Sequence, residues 1–445
     1  MHWIPTIYLI RVKFFSSHTT WAMDKLQELK QYQESIDQCV RCGACQAHCP
    51  VYDQTRHEGG VARGKLAIAK ALLDGHVDID DPRLAEDISL CLMCGSCVVK
   101  CPNKVPTEKI IGAMRRAIYQ SEGTTLMGKV VSGVTGSPAV LKNLTRAASV
   151  FSPALFKKVP GSSGLHLRFP LAGKHKRTFP FIAPKSLFER IPECTQGKPG
   201  KPVIGLFAGC SITYLYPEIG MAMYRLLQAL GFGIVFPHEQ GCCGIPGRSV
   251  GDRDLIERLT ERNIKAFTQH QVTQIVTACA TCNSGLSEGL AETASQSDMH
   301  IVDIQAFLYA NGLCSLLNKR ISGPENIVIT YHDPCHLRLK GITKEPRALL
   351  KAIPGAEFVE MENAATCCGL GGTFSVKHYE LSQAIGRKKT QGIAKSAADY
   401  VATSCPGCMI QLQDSINQAQ LSTKVVHVLE LLEQAVTAIP VPEQG

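Results

Sequence analysis

Apolar and polar residues alternate with a helical period in the first quarter of the chain. Apolar residues recur every three or four positions over residues 24–38, 62–75 and Glu108–Tyr119. This spacing places the apolar side chains on one face, so each of the three segments is predicted to be an amphipathic helix. The first part of the chain is therefore expected to be all-α.

The second half has a different pattern, in which short apolar runs alternate with longer helical ones. β-Branched and apolar runs predict strands at Val203–Phe207, Gln274–Thr277, Ile327–Tyr331 and Tyr400–Ala402. Helices are predicted between them, for example at Pro217–Leu230 and Tyr379–Ala397. Alternating strands and helices favour α/β units with a largely parallel sheet. The fold class is therefore α+β multidomain, with an all-α part followed by α/β units.

Composition and charge add one distinctive segment. The 445 residues are 45% hydrophobic and 19% charged, which suits two or three globular domains. No run of 18 apolar residues occurs, so we expect no transmembrane helix.

The net charge of +9 arises between Gly123 and Glu189, where acidic residues are absent and ten are basic: Lys129, Lys142, Arg146, Lys157, Lys158, Arg168, Lys174, Lys176, Arg177 and Lys185. An anionic membrane surface or an acidic partner fits this segment better than nucleic acid, and a solvated basic linker is the alternative. Amphipathic helices are predicted within Lys129–Val159.

Eight cysteines form two Cys-x2-Cys-x2-Cys-x3-Cys-Pro motifs in the helical part. The first motif contains Cys39, Cys42, Cys45 and Cys49, and the second contains Cys91, Cys94, Cys97 and Cys101. Close spacing wraps three thiolates round one corner of a [4Fe–4S] cluster, and the fourth reaches the neighbouring cluster. We therefore predict one cluster on Cys39, Cys42, Cys45 and Cys101, and another on Cys91, Cys94, Cys97 and Cys49. Zinc knuckles or disulfides are the alternative, although zinc sites rarely use this spacing.

Ten further cysteines form two equal sets of five. The first set is Cys210, Cys242, Cys243, Cys279 and Cys282, and the second is Cys335, Cys367, Cys368, Cys405 and Cys408. Corresponding members lie 125 or 126 residues apart, and each adjacent pair is followed by glycine, which indicates a tandem duplication. The ligands are expected beyond the carboxyl ends of parallel strands, where helix N-termini stabilise anionic sulfur. Cys194 and Cys314 lie outside both sets and are most simply unligated thiols.

These patterns divide the chain into five parts. We expect an N-terminal extension over 1–22 with Met23 as the natural start, a helical two-cluster domain over 23–122, a basic linker over 123–200, and repeats over 201–320 and 321–445. Clustered cysteines without a clear secretory signal indicate metal ligands in a reducing compartment. The predicted location is the cytoplasm, with peripheral attachment to the inner face of the cell membrane as an option.

The complete arrangement resembles a known family. Two CxxCxxCxxxCP motifs with HEGGVARGK between them, followed by two CCG repeats, resemble the iron–sulfur subunit of bacterial glycolate oxidase and its D-lactate dehydrogenase relatives. The resemblance covers residues from about Met23 to the C-terminus. It extends to the iron–sulfur subunit of anaerobic glycerol-3-phosphate dehydrogenase and to heterodisulfide reductase subunits. Several glycolate oxidase subunits have lost part of the first cysteine set. Both sets are complete here, which resembles heterodisulfide reductase, whose CCG repeats hold non-cubane [4Fe–4S] clusters.

The resemblance implies an electron-transfer subunit whose FAD-binding partner oxidises glycolate or D-lactate, with electrons passing toward a membrane quinone. The residues themselves agree, because no nucleotide-binding fingerprint, Walker lysine or catalytic triad order is present. No catalytic residue and no cofactor ligand beyond the cluster cysteines is therefore predicted. A disulfide reductase that uses the CCG clusters and a zinc-stabilised scaffold without a redox role are the competing hypotheses.

Cations and histidines near the motifs are weaker candidates. Arg63 and Lys65 either raise a cluster potential or form ordinary salt bridges. Three histidines adjoin cluster cysteines and are placed to donate a hydrogen bond to a cluster sulfur: His48, His332 and His336. His238 lies a few residues before the first CCG, and none of the four is expected to bind iron.

Overall fold

The computed structural model describes residues 25–123, 125–159, 164–168, 177–292, 298–319 and 326–437. The predicted extension over residues 1–22 lies outside this range, as do Lys174 and Lys176 of the basic segment. The described chain is a mixed α/β structure. The residue boundaries of the five predicted parts remain predictions.

The first part is built from eight α-helices and one short 3-10 helix (Glu58–Gly60), with no strand, within the described residues 25–122. They are α1 (Gln27–Lys30), α2 (Gln33–Asp37), α3 (Ala44–His48), α4 (Pro50–Thr55), α5 (Ala62–Leu73), α6 (Pro82–Ser89), α7 (Ser96–Val99) and α8 (Thr107–Glu122). The predicted helices over 62–75 and Glu108–Tyr119 are confirmed as α5 and α8. Residues 24–38 form two short helices instead of one, because the backbone at Tyr32 leaves the helical region at φ −101° and ψ 8°. Both helices still bury their apolar side chains, Leu29 and Ile36, against α5 and α8.

The basic segment contains structure of its own. Two helices, α9 (Leu126–Gly136) and α10 (Pro138–Leu155), confirm the predicted helical character of Lys129–Val159. They are followed by a small antiparallel sheet of β1 (Phe156–Lys158), β2 (Gly164–Leu167) and β3 (Phe179–Pro180). Helix α9 packs on the first repeat, where the Ser132 hydroxyl donates to Asp252 over 2.5 Å. Thr178 N–H likewise donates to Asp414 of the second repeat over 2.8 Å.

The first repeat is a five-stranded sheet of β4 (Cys194–Thr195), β5 (Val203–Phe207), β6 (Gly233–Val235), β7 (Gln274–Thr277) and β8 (His300–Asp303). The strand order is β4-β6-β5-β7-β8, and all strands are parallel except the edge strand β4. The helices are α11 (Gly209–Tyr214), α12 (Pro217–Ala229), α13 (Ile245–Val250), α14 (Arg253–Thr268), α15 (Ala280–Glu292), α16 (Ile304–Ala310) and α17 (Leu313–Asn318). The strands predicted at 203–207 and 274–277 are confirmed to the residue.

The second repeat has the same topology without the antiparallel edge strand. Its four strands are all parallel in the order β10-β9-β11-β12, namely β9 (Ile327–His332), β10 (Ala356–Phe358), β11 (Tyr400–Thr403) and β12 (Lys424–His427). Its helices are α18 (Cys335–Leu339), α19 (Lys344–Lys351), α20 (Phe374–Lys377), α21 (Tyr379–Lys395), α22 (Pro406–Gln418) and α23 (Val428–Thr437). One apolar core runs through both repeats and includes Leu206, Val276, Ile329 and Val401, all fully buried. This shared core holds the two sheets together and positions the loops at their carboxyl ends.

Candidate metal centres

The two short-spaced motifs share one backbone conformation. In each motif the second cysteine lies between two residues with left-handed dihedrals: Arg41 and Gly43 in the first motif, and Met93 and Gly95 in the second, with φ of 55°, 83°, 53° and 65° respectively. Two successive reversals of this kind curl the chain so that the cysteine side chains turn toward a common point. Glycine adopts this conformation without a steric penalty, which explains one glycine per motif.

The cysteines gather into two groups that cross between the motifs. One cavity is lined by Cys39, Cys42, Cys45 and Cys101. Another is lined by Cys49, Cys91, Cys94 and Cys97. Cys97 also borders the first cavity, so the two groups are adjacent. This arrangement supports the crossed ligand assignment, which we retain as a proposal.

The chemistry of these groups suits thiolate ligands for iron. The N–H of Tyr52 donates to Cys49 Sγ over 3.5 Å, and the N–H of Met93 donates to Cys91 Sγ over 3.4 Å. Burial raises the pKa of Cys49 to about 11, so metal binding there must displace a proton. Pro50 begins α4 directly after Cys49, because proline is favoured at a first helical position. The first turn of α4 thereby directs an N–H toward the sulfur.

The two cations between the motifs have different roles. Arg63 forms an ion pair with Glu58 at 2.9 Å, which is the ordinary salt bridge that the sequence allowed. Lys65 is 1% exposed and lines the second cavity, and its ammonium donates to the carbonyl oxygens of Gly59, at 2.6 Å, and Asp87. Burial lowers the pKa of Lys65, while the nearby sulfurs of Cys91 and Cys49 oppose that shift.

The first set of five cysteines meets at the carboxyl end of its sheet. Cys210 follows β5, the pair Cys242–Cys243 follows β6, and Cys279 and Cys282 lie at the beginning of α15 after β7. Cys210 Sγ and Cys242 Sγ are 3.9 Å apart. The thiols of Cys242 and Cys282 both contact Cys243 and hold its pKa well below the usual range. Cys279 contacts Cys282, so all five thiols form one connected group, in the location that parallel-sheet topology predicts.

The second set repeats this placement with one addition. Cys335 follows β9, the pair Cys367–Cys368 follows β10, and Cys405 and Cys408 follow β11. A ring nitrogen of His332, Cys368 Sγ and Cys408 Sγ all lie within 4.8 Å of one another. His332 is fully buried and its ring contacts the Cys368 thiol, although neither ring nitrogen has a well-formed hydrogen bond to a described residue. A buried imidazole against two thiols is a donor or ligand for a group bound there.

Only some of the other histidines and leftover cysteines lie away from the cysteine sets. His238 packs against the rings of Phe188 and Phe236. His336 lies 3.4 Å from the Thr281 hydroxyl, which is 3.2 Å from Cys405 Sγ, and it helps to lower the pKa of Cys243. His48 is exposed at the end of α3. Cys194 is exposed on β4, and Cys314 is half-buried on α17.

Sequence reasoning missed Lys389, which lies close to the second set. This side chain is 2% exposed, and its ammonium donates to the carbonyl oxygens of Asn363 and Ala364, the latter at 3.1 Å. Burial lowers the pKa of Lys389 to about 8, and the sulfurs of Cys368, Cys335 and Cys367 oppose that shift. In the sequence, Lys389 looks like the other lysines of the amphipathic helix α21. The one sequence feature that could have pointed to it is the residue at the corresponding position of the first repeat, which is not a lysine.

Contacts between sulfurs also join the groups to one another. Cys94 of the helical part contacts the thiols of Cys335 and Cys367 in the second repeat. Arg338 reinforces this junction by donating to the Cys94 carbonyl oxygen at 3.0 Å and to the Ser96 hydroxyl at 2.9 Å. The junction between the repeats is made by Cys279 and Cys405, whose thiols touch. The cysteine groups thus form a continuous series from the helical part through the second repeat to the first.

Known proteins share this architecture. A 4Fe-4S dicluster domain model matches residues 35–105, and a cysteine-rich domain model, CCG, matches residues 204–287 and 329–413. The chain is 30% identical to the probable glycolate oxidase iron-sulfur subunit of Bacillus subtilis, over 92% of this chain and 98% of that protein. It is 31% identical to a subunit of the fumarate reductase (CoM/CoB) of Methanothermobacter marburgensis, over 92% and 75%. It is 27% identical to a subunit of the dihydromethanophenazine:CoB–CoM heterodisulfide reductase of Methanosarcina barkeri, over 90% and 94%.

The cofactor expectation is confirmed by these matches together with the cysteine groups: the protein carries iron–sulfur clusters, including the [4Fe–4S] pair of the dicluster domain. Within the described residues, no helix combines the length and apolar character needed to cross a bilayer. The chain belongs to the family of iron–sulfur oxidoreductase subunits, with a dicluster domain followed by two CCG domains, that includes the probable glycolate oxidase iron-sulfur subunit of Bacillus subtilis.

Proposed function

We propose that this chain is the electron-transfer subunit of a flavin-dependent 2-hydroxy acid dehydrogenase. A partner subunit with FAD oxidises glycolate to glyoxylate or D-lactate to pyruvate, and the two electrons, with two protons, convert a membrane quinone to its quinol. The proposal draws its substrate class from the Bacillus subtilis relative, which matches nearly its whole length. Bound iron–sulfur clusters supply one-electron storage, which a two-electron flavin needs in order to reach a distant acceptor.

The continuous series of cysteine groups carries this proposal. Cys94 contacts Cys335 and Cys367, and Cys279 contacts Cys405, so no group in that part of the series is isolated. The protein holds these sulfurs in a fixed spatial order in its buried interior. Cys335 and Cys405 are at most 9% exposed, so water is largely excluded at both junctions.

The test uses the complex captured from the native host with a tagged chain. Cys408→Ser removes one ligand of the second repeat, and Cys194→Ser, on exposed β4, is the matched control. We expect the Cys408→Ser complex to oxidise the hydroxy acid with an artificial dye at the normal rate, because the flavin lies on the partner. Reduction of quinone by the same complex should be lost, whereas the Cys194→Ser complex should retain both activities.

Three outcomes contradict the proposal. The first is capture without any FAD-binding dehydrogenase. The second is normal quinone reduction by the Cys408→Ser complex after its second-repeat cluster is shown to be absent. The third is stoichiometric zinc with little iron on elemental analysis, which would favour the scaffold hypothesis.

A disulfide reductase is a second candidate, supported by the contact between Cys279 and Cys405. Both five-cysteine sets are complete, and the Methanosarcina barkeri relative is a heterodisulfide reductase subunit. Five thiolates exceed the four that one cubane requires, which accords with a non-cubane cluster in each repeat. Steady turnover of a disulfide by the isolated reduced chain would favour this candidate over electron transfer alone.

Peripheral attachment to an anionic membrane forms part of the proposed function. Val140, Leu144, Phe151 and Leu155 recur along α10 at intervals of four, seven and four, so they share one side of that helix. All four are exposed, at 42 to 60%. The same segment carries exposed basic side chains: Lys129, Lys142, Arg146, Lys157 and Lys158. An apolar stripe on a basic helix is typical of binding at an anionic lipid interface.

Cosedimentation of the full chain with vesicles tests this attachment. Vesicles with anionic phosphatidylglycerol should bind the chain, and vesicles of phosphatidylcholine alone should bind it far less. Phe151→Ser combined with Leu144→Ser should abolish binding to both. Equal binding to the two vesicle types, or full binding by the double variant, would contradict attachment through α10.

A further inference from the structure

Among the positions at which the two repeats differ near their cysteines, two are buried and polar in the second repeat, His332 and Lys389. His332 lies 125 residues after Phe207, the same offset that relates Cys335 to Cys210. Both residues end the first parallel strand of their repeat, β9 and β5. Lys389 lies 126 residues after Asn263, the same offset that relates Cys405 to Cys279. The duplicated fold therefore places a phenyl ring and an amide in the first repeat where the second has an imidazole and an ammonium.

The imidazole reaches the sulfurs, and its counterpart has no polar atom to offer. A ring nitrogen of His332 lies within 4.8 Å of the sulfurs of Cys368 and Cys408, the ring contacts the Cys368 thiol, and both ring nitrogens are buried. Phe207 occupies the corresponding place beside Cys282. An N–H aimed at sulfur stabilises the more negative, reduced state of a cluster.

Lys389 and Asn263 both brace the loop of the adjacent cysteine pair, but only the lysine carries charge. Asn263 donates to the Cys242 carbonyl oxygen at 2.9 Å and accepts from the Gly241 N–H at 2.8 Å. Lys389 donates to the carbonyl oxygens of Asn363 and Ala364. Carbonyl oxygens satisfy the ammonium without neutralising it, so its charge acts on the nearby sulfurs.

Two other charged groups near the sets are held in ion pairs, whereas His336 lies close enough to Cys243 to act on that thiol. Beside the second set, the Asp333 carboxylate is bound by Arg347 at 2.7 Å. Beside the first set, the guanidinium of Arg248 pairs with Glu292 at 2.8 Å and with Glu288 at 3.5 Å. His427 is also buried near Cys405, so the effect of His332 and Lys389 is isolated by substituting those two residues alone.

We propose that His332 and Lys389 raise the reduction potential of the second-repeat cluster above that of the first-repeat cluster. His332 donates its N–H to a cluster sulfur and is not an iron ligand, since five cysteines are already present. Lys389 contributes a buried positive charge whose direct partners are carbonyl oxygens and not a carboxylate. An electron that arrives through Cys94 is then held preferentially in the second repeat, directly beside the helical part. This inference rests on the proposed cluster in each repeat, and it does not depend on which acid the partner oxidises.

The experiment is a redox titration of the full chain, purified without oxygen and followed by electron paramagnetic resonance at one fixed pH. Signals lost in Cys408→Ser and in Cys282→Ser identify the second-repeat and first-repeat clusters. His332→Phe and Lys389→Asn each import the residue of the first repeat. His238→Phe, in which the ring packs on Phe188 and Phe236, is the matched control.

We expect each imported residue to lower the midpoint potential of the second-repeat signal, and the double variant to lower it further. Iron content, the other signals and the His238→Phe potentials should stay unchanged. An unchanged second-repeat potential in variants that retain their iron would overturn the proposal. So would a second-repeat potential below that of the first repeat in the unmodified chain.

Two further results keep the test decisive. If His332→Phe loses iron, nitrogen hyperfine spectroscopy of the unmodified chain decides its role: a weak coupling supports a hydrogen-bond donor, and the strong coupling of an iron-bound imidazole overturns it. The absence of any signal that Cys408→Ser removes would also overturn the inference. Electron transfer by the complex is measured separately with quinone, so failure of the inference and failure of the proposed function remain distinguishable.

Discussion

Gly209 offers a direct test of how tightly the first-repeat centre is built. This glycine begins α11 immediately before Cys210 and has a φ of +66°. A Cβ added there would lie 2.8 Å from Cys282 Sγ and 3.2 Å from a ring carbon of Phe207. Ordinary contacts of a Cβ begin near 3.4 Å, so Gly209→Ala forces the sulfur, the ring or the loop to move.

The perturbation has two parts that a control variant separates. A left-handed backbone costs a residue with a side chain about 1–2 kcal/mol. Gly200→Ala incurs this backbone cost alone, because Gly200 has a φ of +82° and nothing within 4 Å of the added Cβ. Any additional effect of Gly209→Ala therefore comes from its contact with the cysteine site.

Iron content per chain and the electron paramagnetic resonance signal of the first repeat are the measurements. We expect Gly209→Ala to lose one cluster, about four irons per chain, because a displaced Cys282 sulfur no longer converges with the others. Gly200→Ala should retain all its iron. Full iron and an unaltered first-repeat signal in Gly209→Ala would refute the reasoning that Cys282 is fixed as a ligand.

Two further predictions concern stability. Arg347→Ala should destabilise the chain by about 3–5 kcal/mol, because it leaves the Asp333 carboxylate, 5% exposed, buried without its partner. Arg253→Ala breaks an exposed pair and should cost less than about 0.5 kcal/mol, so equal shifts in urea unfolding would contradict this account. Burial raises the pKa of Asp303 from 3.8 to about 7. The folded state then holds a proton that the unfolded state releases, so this group's contribution to stability falls by about 1.4 kcal/mol per pH unit as pH rises through that window. Asp303→Asn, which keeps an oxygen for capping α16, should remove the decline between pH 5 and 7; an unchanged slope in urea unfolding would count against it.

Short-range pattern determined much of this protein. The strands at 203–207 and 274–277 and the beginnings of the helices at 217 and 379 follow from the sequence, because local periodicity and β-branched runs act within a few residues. The cysteine spacing likewise predicted both iron–sulfur motifs and the duplication, since ligand geometry demands fixed separations along the chain. The same reasoning did not predict the break at Tyr32 within residues 24–38. Leu29 and Ile36 pack into the same apolar core, and their spacing is compatible with one continuous helix as well as with two short ones.

Tertiary structure decided how the centres relate to one another. Cys94 meets Cys335 and Cys367 across more than 240 residues, through an interface that no local pattern specifies. The same holds for Lys389, which looks like any helical lysine until packing of α21 buries it beside the second set. Sequence by itself determined which atoms are available to hold iron. The packing of the two repeats against each other and against the helical part decided which sulfurs are neighbours and which charges they feel, because those quantities depend on distances through space.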